Sequence, residues 1–77
     1  MKQLNKTAAK QLIGKTLSMN GETTQSFEIC KFDSPSGLFL MKDISTNKFK
    51  IMDLGGINHL IKADNKMKNH KPFITIG

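Results

Sequence analysis

The sequence has no arginine, no tryptophan and no tyrosine, a single cysteine, two prolines, and no apolar run approaching the roughly 20 residues that span a bilayer. Each absence excludes something. Without arginine there is no planar guanidinium fork to read guanine or clamp a phosphate bidentately, so any anion meets lysine, a compact and strongly hydrated point charge. Without Trp or Tyr, base stacking falls to five Phe, most of which a small chain needs for its core. One cysteine, Cys30, makes no intramolecular disulfide, and no Cys and His cluster has zinc-ligand spacing. The expectation is a chain without cofactor or metal, at home in the reducing cytoplasm and not in a membrane.

What is present is lysine. The formal net charge is +6, all of it carried by the two ends. Residues 1 to 15 hold Lys2, Lys6, Lys10 and Lys15 without an acid, and residues 65 to 77 hold Lys66, Lys68 and Lys71 without an acid. The span between holds five Lys against six Asp and Glu. Such asymmetry argues for association with polyanions and says nothing of fold. Seventy-seven residues make one domain, residues 1–77, with a thin core, because a chain of this size buries only about 60% of its unfolded surface.

The first segment, NKTAAKQLIG, holds good helix formers, an N-cap candidate at Asn5 or Thr7, and a stop at Gly14. Leu4, Ala8 and Leu12 share one face of that helix, with Ala9 and Ile13 beside them. KTLSM reads as a strand, and Asn20-Gly21 as a hairpin signal. A two-residue loop there would put Leu17 and Met19 on the face of Glu28 and Cys30 instead of that of Phe27 and Ile29. Either the loop is wider, or a bulge shifts the phase; SFEICKF, with Phe27 and Ile29 on one side and Cys30 and Phe32 on the other, favours a bulge or a strand buried on both faces. DSPSG is turn chemistry, with Gly37 free to take a positive φ, and LFLM reads as a central strand. After a second turn at STNK, KFKIMD alternates, with Phe49 and Ile51 expected inward and Lys48 and Lys50 outward. Asp53 is placed to cap a short helix striped by Ile57, Leu60 and Ile61, and FITI closes the chain as a strand.

Together these elements predict an α+β fold dominated by antiparallel strands. The expected form is a small curled sheet or an SH3-like or OB-like barrel of about five strands, with an N-terminal helix and one short helix. An open sheet with a helix on one face is the alternative.

Chemistry is scarce. GGINH, residues 55 to 59, has glycines ahead of a helix but no Lys and Ser or Thr at phosphate-loop spacing, so its glycines serve the turn. His59 and His70 have no metal-ligand partners at useful spacing, and Cys30 reads as a small core residue. The six acids fall mostly at turns, and no Ser, His and Asp arrangement suggests itself, so the chain is not expected to be an enzyme.

The expected function is therefore binding. Lys6, Lys10, Lys48, Lys50, Lys66, Lys68 and Lys71 are the candidates to grip a nucleic-acid backbone, DNA or RNA, with low sequence specificity. Phe39 and Phe73 are the candidates to stack on bases. The competing expectation is a small protein-binding module, an inhibitor or adaptor that docks an acidic protein surface or offers a strand edge such as FITI, suited by five adaptable Met. A small, Lys- and Asn-rich, Arg-free chain also fits a phage or mobile-element accessory protein acting on a host factor.

Overall fold

Asn5, and not Thr7, starts the first helix: its side-chain oxygen accepts from the Ala8 N–H at 2.8 Å. The computed structural model describes residues 1–67 and 72–77. Its order is α1 (Lys6–Lys10), β1 (Thr16–Asn20), β2 (Thr24–Asp33), β3 (Leu38–Asp43), β4 (Phe49–Asp53), α2 (Leu54–Lys66) and β5 (Ile74–Ile76). Helix α1 ends in a turn at Gly14, whose φ of +89° suits glycine and whose N–H bonds Ile29 O in β2 at 2.8 Å. One face of α1 buries Ala9, where a small side chain lets the helix lie close on the sheet, while Ile13 is left exposed.

The strands form one antiparallel sheet in the order β4-β3-β2-β1-β5. The first four make a meander. β5 returns to pair with β1, so β4 and β5 are the two edges and the sheet is open. Barrel closure, one of the expected forms, would need those edges to meet; instead the architecture is an α+β open sheet with its helices on one face.

Register decides which face is which. Asn20 pairs with Thr24, so the first hairpin loop is the three residues 21 to 23, and this brings Leu17 opposite Phe27 on the inner face. A bulge then follows between Ile29 and Lys31. Cys30 is the extra residue, and the phase change turns Phe32 onto the face of Phe27 and Ile29, where its ring lies 4.6 Å from that of Phe39. Both devices that the sequence left open are thus in use, the wider loop and the bulge. Cys30, read from sequence as a core residue, is half-buried at that bulge and outside the core.

The core is a single cluster of Ala9, Leu17, Phe27, Ile29, Phe39, Met41, Ile57, Ile61 and Ile74. Ile57 and Ile61, one turn apart, present the buried stripe of α2, and Leu60 packs beside them. Asp53 caps this helix through the Gly56 N–H. At thirteen residues α2 is the longer helix, since the cap and the stripe outweigh the poor propensity of Gly55 and Gly56. Its far end is tied to β5, because the Asp64 carboxylate accepts from Phe73 N at 2.7 Å and Ile74 N at 3.2 Å. Residues 1 to 4 run back along α2: Leu4 and Asn58 exchange two hydrogen bonds, and Asn65 donates to Met1 O.

The phase of β4 reverses the sequence expectation. Met41 pairs with Lys50 and Phe39 with Met52, so Lys50 and Met52 lie on the inner, helix-bearing side, while Phe49 and Ile51 face outward and are 64% and 63% exposed. The β3–β4 turn sets this register. Asp43 accepts from Ser45 N, Ser45 Oγ and Thr46 N, and Asn47 adopts a φ of +59°. A slip of one residue would exchange the faces.

Candidate interaction surfaces

The sheet separates two surfaces. On the helix-bearing side, α1 carries Lys6 and Lys10 and α2 carries Lys62 and Lys66, all exposed. Lys2, also exposed, lies between the tethers that join Leu4 to Asn58 and Met1 to Asn65, on the segment that runs along α2. Lys50 belongs to this side by register, its Nζ 5.6 Å from the centre of the Phe27 ring, a cation–π contact at a stretch of sheet that α2 leaves open. Lys48 precedes it by two residues, and with Gln25, Phe27, Asp43, Thr46 and Phe49 the two lysines line an open notch of about 330 Å³.

Of the acids on this side, Glu22 lies at the first hairpin loop beside Leu60 and Phe73, and the other two are already engaged. Asp64 accepts two backbone N–H groups. Asp43 is held below the ordinary carboxylate range first by the Ser45 hydroxyl, which outweighs the opposing desolvation, and then by the Ser45 and Thr46 amides and the nearby Lys50 charge. Asp53 fills the N-terminus of α2 with its own carboxylate, so the Gly55-Gly56 turn offers no free nest to an outside anion. A Cβ on Gly56 would come 3.1 Å from that carboxylate oxygen, a tight contact with the capping group.

The outer face is different in kind. By register it presents Thr16, Ser18, Ser26 and Thr75 towards the β5 edge, with Ser18 and Ser26 sharing a hydrogen bond of 2.9 Å. Towards the β4 edge it presents Leu38, Leu40, Phe49 and Ile51. Its charges are Lys31 and Lys42 against Glu28, Asp33 and Asp53. This face is apolar and slightly acidic.

The sequence candidates therefore fall out as follows. Lys6, Lys10, Lys48, Lys50 and Lys66 share one side of the sheet, and Lys2 and Lys62 join them. Lys68, Lys71 and His70 lie outside the described residues. β5 occupies the edge of the sheet opposite Lys48 and Lys50. Phe39 has no accessible surface, because it is the centre of the core, and it offers no face to a base. Phe73 is half-buried beside Met19, Asn20 and Leu60. The exposed ring is that of Phe49, which sequence reasoning placed inward. Its one signal was the period-two pattern of KFKIMD, which fits either phase.

His59 is exposed on α2, and among the described residues no three of His, Cys, Asp and Glu gather as metal ligands do. Also among the described residues, no helix is long and apolar enough to cross a membrane. Compared with protein-family models, with curated proteins and with solved structures, the chain finds no match.

Proposed function

We propose that this chain is a non-enzymatic binding protein that grips nucleic-acid backbone through the helix-bearing side of its sheet, with little regard to base sequence. The observation that carries the reading is the sorting of charge by face. Lys2, Lys6, Lys10, Lys48, Lys50, Lys62 and Lys66 lie on one side, where Asp43 and Asp64 are committed to internal hydrogen bonds. The outer face, with more acids than lysines, has no such surplus. Lysine alone neutralises phosphate without the forked geometry that distinguishes bases, and among the described residues that side has no well-exposed Phe ring for stacking.

Five to seven phosphate contacts would give a log-log salt slope of about −4.5 to −6.3 on duplex DNA, at roughly 0.9 per contact. Fluorescence-anisotropy titration against mixed-sequence single-stranded DNA, duplex DNA and RNA at several salt concentrations tests this. Binding that weakens along such a slope supports the reading, and flat curves at low salt contradict it.

A second reading, docking on a protein partner, is favoured by a different observation: Phe49 and Ile51 expose apolar surface on the outer face. Under it, truncating Phe49 to Ala would cost more affinity than removing any single lysine, since central anchors dominate protein interfaces.

A further inference from the structure

The open edge at β4 has the chemistry of a self-pairing strand, and we infer that two copies of this chain join there, antiparallel and centred on Ile51, into one ten-stranded sheet. The inference goes beyond the proposed nucleic-acid contact and does not depend on it.

Backbone direction comes first. Asp43 N donates to Lys48 O at 2.8 Å and Leu54 N to Gly37 O at 2.8 Å, which fixes the alternation of the β3–β4 ladder. Lys48, Lys50, Met52 and Leu54 therefore turn their N–H and C=O groups towards β3, and Phe49, Ile51 and Asp53 turn theirs to the open edge. An uncovered edge of this kind is a template for another strand.

Side-chain chemistry then selects the partner and the register. A twofold axis normal to the sheet must pair outward-facing residues with outward-facing ones and so centres on a residue of β4; the end residues Phe49 and Asp53 would overlap the two strands least, which leaves three centres. Centring on Lys50 sets that lysine against its own copy in the closest type of pair, where like charges repel. Centring on Met52 sets Lys50 against Leu54, the first residue of α2, where the strand has already ended. Centring on Ile51 uses the whole strand: Ile51 meets Ile51 of the second copy, Phe49 meets Asp53 of the second copy, and Lys50 meets Met52 of the second copy. No like charges oppose, and about six backbone hydrogen bonds form.

The outer face becomes continuous across the seam. Leu40 is the neighbour of Ile51 in β3, so the central row reads Leu40, Ile51 and then the same two residues of the second copy in reverse. Phe49 lies between its own Lys42 and Asp53 of the second copy. Lys50, drawn over Phe27 on the other face, keeps its ammonium off this row. The same axis puts both helical layers on one side of the joined sheet and so doubles the lysine face.

Site-specific crosslinking tests the register. In a Cys30→Ser background, Ile51→Cys, Phe49→Cys and Lys50→Cys are each oxidised with copper phenanthroline under native conditions. Hydrogen-bonded partners have Cα atoms about 5.5 Å apart, within disulfide reach, whereas self-pairs at 49 or 50 would be diagonal and beyond about 7 Å. The expected result is an Ile51→Cys dimer forming at least tenfold faster than either of the others. Sedimentation equilibrium of the unchanged chain should give twice 8.6 kDa in the hundred-micromolar range. Ile51→Pro removes an outward N–H while leaving the β3 ladder intact, and should sediment as a folded monomer with an unchanged circular dichroism spectrum. Equal crosslinking rates, faster crosslinking at 49 or 50, an unchanged chain that stays monomeric, or a folded Ile51→Pro that still dimerises would each overturn the inference.

Discussion

At the scale of single residues, short polar side chains fix the turns on which the rest depends. Asp33 accepts from Ser36 N and Oγ, and Asp43 from Ser45 and Thr46, and in both cases the serine hydroxyl is the largest cause of a lowered carboxyl pKa. A carboxyl with a folded-state pKa below its unfolded value adds stability above that unfolded value, and the contribution is lost as pH falls through the folded pKa. The window lies in acid, below the ordinary Asp value of 3.8. We predict that Ser36→Ala and Ser45→Ala raise the pKa of Asp33 and Asp43 respectively towards that value, as read by carboxyl-carbon NMR titration, and that each lowers the thermal transition above that value while flattening its fall in acid. An unmoved carboxyl in either variant would show that the hydroxyl is not its cause. These turns were legible as turns, since DSPSG and STNK hold the residues that bend chains. Their length was not, and in β4 that mattered. Lys48, Phe49, Lys50 and Ile51 alternate equally well in either phase, and assigning the apolar pair inward ignored that Met52 supplies the inner contact.

At the scale of elements, the bulge at Cys30 and the cap at Asp53 do what periodicity alone cannot. Phe27, Ile29 and Phe32 are at an odd spacing for one face of a flat strand, and the extra residue at Cys30 reconciles them. The sequence posed this conflict openly, which is why a bulge was foreseeable there while the reversed face of β4 was not. Replacing Cys30 with Ser should therefore be nearly neutral, whereas deleting it should turn Phe32 away from the core it packs against and cost stability comparable to a large-to-small core change, about 3 to 5 kcal/mol by chemical denaturation. A deletion as stable as the substitution would remove the bulge from the account. In α2, Ile61→Ala should cost about 2 to 5 kcal/mol through lost burial and a cavity under the helix. Asp53→Ala should cost about 0.5 to 2 kcal/mol through the lost cap. Urea denaturation of the two variants should return them in that order. The last strand is short but structural: Ile74 is buried, and Thr16 and Gly77 exchange two hydrogen bonds across the β1–β5 edge. Removing residues 72 to 77 should abolish the cooperative thermal transition, and a truncated chain that kept it would show β5 to be dispensable.

At the scale of the whole molecule, the fold is a charge sorter. Composition gave the excess of lysine and its location at the chain ends, and the strand and helix order gave the α+β class. Neither gave the gathering on one side, which depends on β5 pairing with β1, on the first residues lying back along α2, and on the phase of β4. All three are non-local: each joins segments whose order in the chain says little about their distance in space. The same phase that brings Lys50 to the helix side turns Phe49 and Ile51 outward, so the apolar face and the basic face have one cause.

The measurement that reaches this claim most directly compares two double variants that change net charge equally, Lys62→Gln with Lys66→Gln on α2 and Lys31→Gln with Lys42→Gln on the outer face. Each is titrated with labelled duplex DNA by fluorescence anisotropy across a series of salt concentrations, after a thermal melt has verified the fold. The account predicts that the α2 pair loses affinity and that its log-log salt slope becomes shallower by about 2, while the outer-face pair keeps the parent slope. Equal loss from both pairs, or the larger loss from the outer face, would contradict it.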